Sequence, residues 1–484
     1  MNYKMMGRLI GSILAFEGVF MITPLLLCFF DSDMTSAAAF LYAIGGTFLA
    51  SLLLLLFGRR AERGFYAREG LVCVGVSWIL MSVVGCLPFV LSGEIPHFID
   101  ALFETVSGFT TTGATILADV ESLSRGMLYW RSFTHWLGGM GVLVFVLAVV
   151  PTNARRGGFA LHLLRAESTG PQVDKLVSRT RDSAVILYGL YILLTVLNFV
   201  FLLCGGMPWF DSLCTAFGTA GTGGFGIKNS SMAAYSPYLQ NVTTVFMLLF
   251  GVNFACFYLL ILRRVRTLFK DEELRLYLGL VGGSILLIAW NIRHLYPTLG
   301  ETVRHAAFQV SSIITTTGFA TTDFDVWPAF SKGILLLLMM VGACAGSTGG
   351  GLKCGRALLL FKGLYRNLRR MLHPHKIETV RVSGRTVDEK VLQGTNVYLV
   401  AYVVIMAASF FLVSLDNFSI TTNLSAVVAC FNNIGPGFEA VGPTCNFGGF
   451  SILSKLVLIV DMLAGRLEIF PVLVLFSRST WSAK

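Results

Sequence analysis

Ser107-Gly108-Phe109-Thr110-Thr111-Thr112-Gly113 is followed in the chain by three variants of itself. These are Phe217-Gly218-Thr219-Ala220-Gly221-Thr222-Gly223, Ser312-Ile313-Ile314-Thr315-Thr316-Thr317-Gly318 and Ala429-Cys430-Phe431-Asn432-Asn433-Ile434-Gly435. Aligned on their final glycines, the phrases lie 110, 95 and 117 residues apart, so the repeating unit is roughly one hundred residues long. A single Thr-Thr-Gly reads as an ordinary turn between helices, but four at equivalent places read as an internal repeat. The segments before them, Asp100 to Phe109, Asp211 to Thr219, Val303 to Ile314 and Thr422 to Phe431, are half apolar. At about ten residues they are too short to cross a bilayer, so each is expected to be a re-entrant pore helix. The non-helical residues after such a helix are tolerated at membrane depth only where they line a watery cavity. Glycine there permits backbone angles that turn carbonyls toward an axis, and threonine hydroxyls can bond neighbouring backbone.

Composition agrees with a membrane setting, since 55% of the 484 residues are hydrophobic and 13% charged. That ratio leaves too little polar surface for a soluble protein. Ten spans are expected, at about 6–30, 36–57, 71–92, 127–150, 183–205, 240–262, 274–292, 329–361, 393–413 and 451–477. The first is too long for a signal peptide and lacks its cleavage pattern, so it reads as a retained helix. Basic residues gather in alternate loops: Arg59, Arg60, Arg63 and Arg68; Arg155, Arg156, Arg165, Lys175, Arg179 and Arg181; Arg263, Arg264, Arg266 and Lys270; Arg366, Arg369, Arg370 and Lys376. These loops are expected on the cytoplasmic side, with both termini. The net charge of +10 is then a topology signal, and no nucleic-acid partner is expected. The ten cysteines form no CxxC pair and read as small core residues, with no disulfide framework or metal site.

The four loops resemble the filter loops of the Trk/Ktr/HKT superfamily of cation transporters. The likeness rests on Thr110 to Thr115, Gly218 to Phe225, Thr315 to Phe319 and Asn432 to Gly437, and on Arg131 to Gly141, Gly346 to Lys353 and Gly465 to Val472. Two additional N-terminal spans are similar to the TrkH branch of that superfamily. The resemblance implies an all-α polytopic membrane protein with about ten transmembrane helices: four pseudo-symmetric span, pore loop, span repeats plus two N-terminal helices. The expected division is 1–68 for the N-terminal helices, then repeats at 69–182, 183–270, 271–390 and 391–484. It further implies a homodimer in the bacterial inner membrane and a cytosolic TrkA-type nucleotide-binding regulatory partner. By the same resemblance potassium is the expected transported ion, and no organic cofactor is expected on this chain. The expected filter is Thr111, Thr112 and Gly113; Gly221, Thr222 and Gly223; Thr316, Thr317 and Gly318; and Asn433, Ile434 and Gly435. In the family, glycine at the key position of each loop goes with potassium preference; the fourth loop departs from threonine, which weakens the fourfold symmetry.

The eighth span is interrupted by Gly342-Ala343-Cys344-Ala345-Gly346-Ser347-Thr348-Gly349-Gly350-Gly351. Each glycine costs a helix about 1 kcal/mol relative to alanine, so an unwound loop is expected there. The resemblance implies that Gly346, Ser347, Thr348, Gly349, Gly350 and Gly351 form a gate below the filter, with Arg466 opposite; close helix packing is the plain alternative. For Arg466 the alternative is an internal salt bridge with Asp461 or Glu468. Only the third unit is expected to follow its glycine with a broken span. Glu94, Asp100, Glu104 and Asp119 are expected to concentrate cations at the outer mouth. His135 and Trp136 read as packing residues, and His373-Pro374-His375 as too short a cluster for a metal. The faces Arg366 to Lys376 and Leu161 to Asp182 read as solvated docking surfaces.

Enzyme chemistry is not expected. Gly351 is followed by Leu352-Lys353-Cys354 where a phosphate loop needs lysine and then Ser or Thr, and Ala345 stands where a nucleophile elbow needs glycine. The expected function is potassium uptake through a four-loop filter; a sodium- or proton-coupled symporter on the same scaffold is the alternative.

Overall fold

Hydrocarbon offers no hydrogen bonds, so an apolar chain crossing it closes its own, and this chain does so with helices almost throughout. The computed structural model describes residues 1–60, 66–139, 141, 180–376 and 378–481. Three helices open the chain: α1 (Tyr3–Phe20), α2 (Ile22–Phe30) and α3 (Met34–Phe57). A common order follows: long helix, short helix, irregular loop, second helix. It first runs through α4 (Ala67–Gly85), α5 (Leu87–Ser92), α6 (Phe98–Phe109) and α7 (Arg125–Gly139). Next come α8 (Thr180–Cys204), α9 (Trp209–Gly221), α10 (Pro237–Phe250), α11 (Phe254–Ile261) and α12 (Val265–Phe269). The third round is α13 (Glu272–Ile292), α14 (Leu299–Ile314), α15 (Ala329–Val341) and α16 (Cys354–Leu372). The last is α17 (Glu389–Val413), α18 (Ile420–Phe431), α19 (Ile452–Arg466), α20 (Phe470–Phe476) and α21 (Arg478–Trp481). A two-stranded hairpin, β1 (Arg381–Val382) against β2 (Arg385–Thr386), lies between α16 and α17.

Six helical stretches among the described residues are long and apolar enough to cross a membrane, or seven with the bent pair α10 and α11. Three of the four missing spans are second helices that end after 13 to 15 residues, at Phe250, Val341 and Arg466. The expectation that only the third unit carries a broken span is therefore corrected. α10 and α11 meet at a 91° bend, and the expected span 451–477 is split at Leu467 to Ile469, with Glu468 and Ile469 at φ of 60° and 65°. For the expected span 127–150, residues 140 and 142–150 lie outside the described residues.

Second helices run close against the ends of the short helices and the loops that follow them. A Cβ on Gly138 would collide with the carbonyl of Phe109, and one on Gly465 with that of Phe431. On Gly251 it would stand 2.7 Å from Thr315 Cγ2. Such contact is reserved for glycine and is lost if the helix carries a side chain there. The long outer helices back this up with buried tyrosines. Tyr191 of α8 donates to Trp136 O (2.9 Å), Tyr277 of α13 to Leu248 O (3.2 Å) and Tyr402 of α17 to Asn432 Oδ1 (2.9 Å).

The N-terminal helices lean on the first pore segment. Trp130 of α7 donates its indole N–H to Gly85 O (3.0 Å) and stands edge-on to Phe40 of α3. All ten cysteines are free; eight are buried, while Cys204 and Cys445 are exposed.

Candidate ion filter and gate

The short helices α6, α9, α14 and α18 each end in a loop with one repeated backbone pattern. Thr111, Thr222, Thr316 and Asn433 have φ of 55°, 55°, 58° and 55°, and two residues later Gly113, Gly224, Gly318 and Gly435 have φ of 79°, 73°, 84° and 96°. Between them, the amides of Thr112, Gly223, Thr317 and Ile434 bond back to the carbonyls five residues earlier, at 2.8 to 2.9 Å. A non-glycine residue in the left-handed region is uncommon, and a β-branched one is an outlier. Three threonines and an asparagine at matching places therefore mark a strained, repeated structure.

This pattern corrects the register of the second loop by one residue. The counterpart of Gly113 is Gly224 and not Gly223, and Thr222-Gly223-Gly224 matches Thr111-Thr112-Gly113. Gly221 is the last residue of α9. The other three loops hold the expected residues in the expected register.

The loops close into a ring. A Cβ on Gly113 would collide with Gly223 O, one on Gly224 with Thr317 O and one on Gly318 with Ile434 O; on Gly435 it would stand 2.7 Å from Thr112 O. Each glycine lies against the carbonyl of the next loop, and the fourth returns to the first. Above the ring opens a cavity of about 140 Å³ whose wall includes all four glycines, Gly113, Gly224, Gly318 and Gly435. Thr111 Oγ1 and Asn433 Oδ1 are buried and have no hydrogen-bond partner. Asn433 Nδ2 ties the fourth loop to the first through Thr112 Oγ1 (3.0 Å) and to α19 through Met462 O (2.9 Å).

The acidic residues expected at the mouth are otherwise engaged. Glu104 is buried against Arg131 (2.6 Å), Asp100 pairs with Lys455 (2.6 Å), Glu94 accepts from Ser124 Oγ (2.7 Å) and Asp119 from Asn229 Nδ2 (2.7 Å). None lines the cavity; they organise loops. At the exposed surface the carboxyl of Glu439 is held below the usual range, chiefly by the hydroxyl of Ser419 and also by that of Thr422.

Under the ring, residues 342–353 join α15 to α16 without helix. Gly350 N donates to Thr316 Oγ1 (2.6 Å), and a Cβ on Gly350 would collide with Asn432 O. On Gly349 it would stand 2.8 Å from Thr315 O. The segment thus lies directly against the third and fourth loops. Gly346 O accepts from Phe254 N (3.1 Å), Ala345 N donates to Glu273 Oε1 (2.6 Å) and Cys344 N to Gly251 O (3.1 Å). Ser347 is buried and bonds Cys344 O (2.6 Å), while Gly351 has φ of 78°.

Arg466 reaches across to this segment. Its guanidinium donates to Thr348 O (2.8 Å) and to the carbonyls of Gly138 (2.5 Å) and Gly139 (2.6 Å) at the end of α7. Neither partner of the alternative salt bridge is engaged with it, since Glu468 pairs with Arg356 and Asp461 accepts from Ser409 (2.6 Å). Lys353, missed in the sequence, is also buried here and donates to Gly349 O. A lone lysine after a run of glycines gives no sign in the sequence that it is buried.

Of the expected docking faces, Leu161 to Asp182 falls almost wholly outside the described residues. Arg366 is not solvated; it is buried in a two-bonded pair with Glu389 (2.6 and 3.0 Å). Arg369 and Lys376 are exposed.

The family described as TrkH, cation transport protein, matches residues 41–484. The Trk system potassium uptake protein TrkH of Salmonella typhimurium is 35% identical over 99% of this chain and 100% of its own length. The Trk system potassium uptake protein TrkG of Escherichia coli K12 is 36% identical over 86% of this chain and 85% of its own. The crystal structure of the potassium transporter TrkH from Vibrio parahaemolyticus superposes with a TM-score of 0.89 over 100% of both chains, at 30% identity.

Proposed function

The chain belongs to the TrkH family of cation transport proteins, and on that premise we propose that it carries potassium into the bacterial cell across the inner membrane. The observation that carries this reading is the closed ring of four left-handed glycines, each against the carbonyl of the next loop. Stripping a cation of water costs tens of kcal/mol by Born estimates, and a ring of backbone oxygens at the end of a wet cavity returns that cost. The C-terminal ends of four short helices add negative dipole potential at the same place. The ion enters from the outer cavity, binds at Thr111 to Gly113, Thr222 to Gly224, Thr316 to Gly318 and Asn433 to Gly435, and then meets the segment Gly346 to Gly351.

That segment acts as the gate, and Arg466 holds it closed by binding Thr348 O while adding a positive charge below the filter. α16 links it to the cytoplasmic surface, where a TrkA-type regulatory partner acts on a homodimer whose termini are cytoplasmic. Purified protein in liposomes tests the filter. Rb⁺ uptake well above Na⁺ uptake is expected, and equal passage of the two ions would overturn the reading.

A further inference from the structure

Arg131 and His135 stand one turn apart on α7, both buried, beside the first two loops of the ring. His135 Nδ1 lies 2.8 Å from Gly108 O, and its Nε2 lies 3.2 Å from the amide of Phe225. A carbonyl only accepts and an amide only donates, so the proton is on Nδ1 and the lone pair on Nε2. One imidazole therefore joins the last turn of α6 to the residue that follows the ring in the second loop. It also fills the space beside Gly223, where any Cβ would strike it.

The phenyl ring of Phe225 is held from two directions. The imidazole packs on it with centroids 4.2 Å apart, and the Arg131 guanidinium lies 3.5 Å from its centroid. Arg131 donates further to Gly226 O (2.9 Å) and pairs with Glu104 of α6. Glu104 in turn accepts from Thr115 Oγ1 (2.9 Å) and Ile116 N (3.0 Å), the residues that follow the ring in the first loop. A continuous chain of polar contacts thus runs from the exit of one loop to the exit of the next. The third and fourth loops are fastened by neutral groups, such as Ser312 Oγ to Phe319 O (2.6 Å) and Phe438 N to Ser425 Oγ (2.9 Å).

We propose that His135, supported by the Glu104–Arg131 pair, is a positioning residue that determines ion specificity by fixing the second loop against the first. Sodium is the smaller ion and gains from carbonyls free to close around it; a brace that holds the carbonyls of Thr112 and Gly223 at a set separation denies it that gain. This rests on the filter reading above.

The test is Rb⁺ and Na⁺ uptake by the full chain in liposomes. His135→Leu removes both bonds and is expected to lower the Rb⁺ to Na⁺ ratio about tenfold, chiefly by admitting Na⁺. His135→Gln, whose amide offers one donor and one acceptor, is expected to hold the ratio within about threefold of the unaltered chain. A merely structural role would lower both fluxes together and leave the ratio in place, which overturns the proposal. Where His135→Leu fails to fold, His135→Asn decides, because it is too short to reach both partners; a reduced ratio supports the brace and an unaltered ratio overturns it. An unaltered chain that passes both ions equally removes the filter reading, and this inference with it.

Discussion

Thr111, Thr222 and Thr316 hold a conformation that a β-branched residue avoids, at a cost of order 1–3 kcal/mol each. They persist because the amide of the next residue is locked back onto the short helix and because the glycine after it fits against the neighbouring loop. Gly224 combines φ of 73° with a Cβ position already filled by Thr317 O. Gly224→Ala is therefore expected to lower Rb⁺ flux by more than about tenfold in protein that still elutes as folded. Flux at the unaltered level would place the ring elsewhere in the second loop. The sequence alone suggested Gly223 for this role because Gly221, Gly223 and Gly224 crowd one short stretch, and matching glycines cannot choose among them. What settles the choice is the left-handed threonine two residues earlier, which no propensity foretells. Glu104 was legible only as an acid near the outside; its burial against Arg131 depends on where α6 and α7 cross.

At the scale of elements, the second helices break in the second, third and fourth units, yet the sequence announces those breaks unequally. Five glycines in Gly342 to Gly351 announce one plainly. At Gly251 to Asn253 there is one glycine and an asparagine whose Oδ1 caps α11 through Ala255 N (2.9 Å), a much weaker sign. At Leu467 to Ile469 no glycine marks the turn; the left-handed Glu468 is held by its pair with Arg356, a contact 112 residues away. The break in the third unit is the longest of these three, its backbone touches the ring through Gly350, and it is held by Arg466 from the fourth unit. An obstruction fastened by a few hydrogen bonds to separate helices can swing when those helices move. Deleting Ala345 to Gly349 is expected to raise Rb⁺ flux several-fold, since the bonds to Thr348 O and Gly346 O disappear with the segment. A deletion variant that expresses and elutes as the unaltered chain does, but whose flux is unchanged or lower, would show that the segment packs helices and does not gate.

Over the whole molecule, channel-like flow and coupled symport are separated by whether the ion's route carries a group that can take up a proton. The cavity above the ring is walled by glycines, hydroxyls, carbonyls and apolar side chains, with Arg131 and Lys228 as its cations and no carboxylate among the described residues. Of the buried acids, Glu104 is locked to Arg131 behind the first loop, and Glu69 accepts from Asn2 N (2.7 Å) at the start of α4. Asp461 faces Ser409 on the outer helix α17, and Glu17 lies on α1 beside Gly85. None of these four borders the cavity, whereas Glu273 and Lys353 stand at the segment under the ring, bonded to Ala345 N (2.6 Å) and Gly349 O. A proton bound at any of the four would have to act on the ion through intervening packed helices, whereas one moving at Glu273 or Lys353 would act through bonds that hold that segment in place. A coupled cycle needs an element with two arrangements that both ions bias. The ring instead presents one cyclic contact repeated four times, built from backbone, with nothing in it that titrates near neutral pH. Rb⁺ is therefore expected to move down its own gradient at a rate that an imposed proton or sodium gradient leaves unaltered once membrane voltage is clamped. Uptake of Rb⁺ against its gradient, driven by an inward proton or sodium gradient, would require a coupling site and would make Glu273 and Lys353 the first residues to replace.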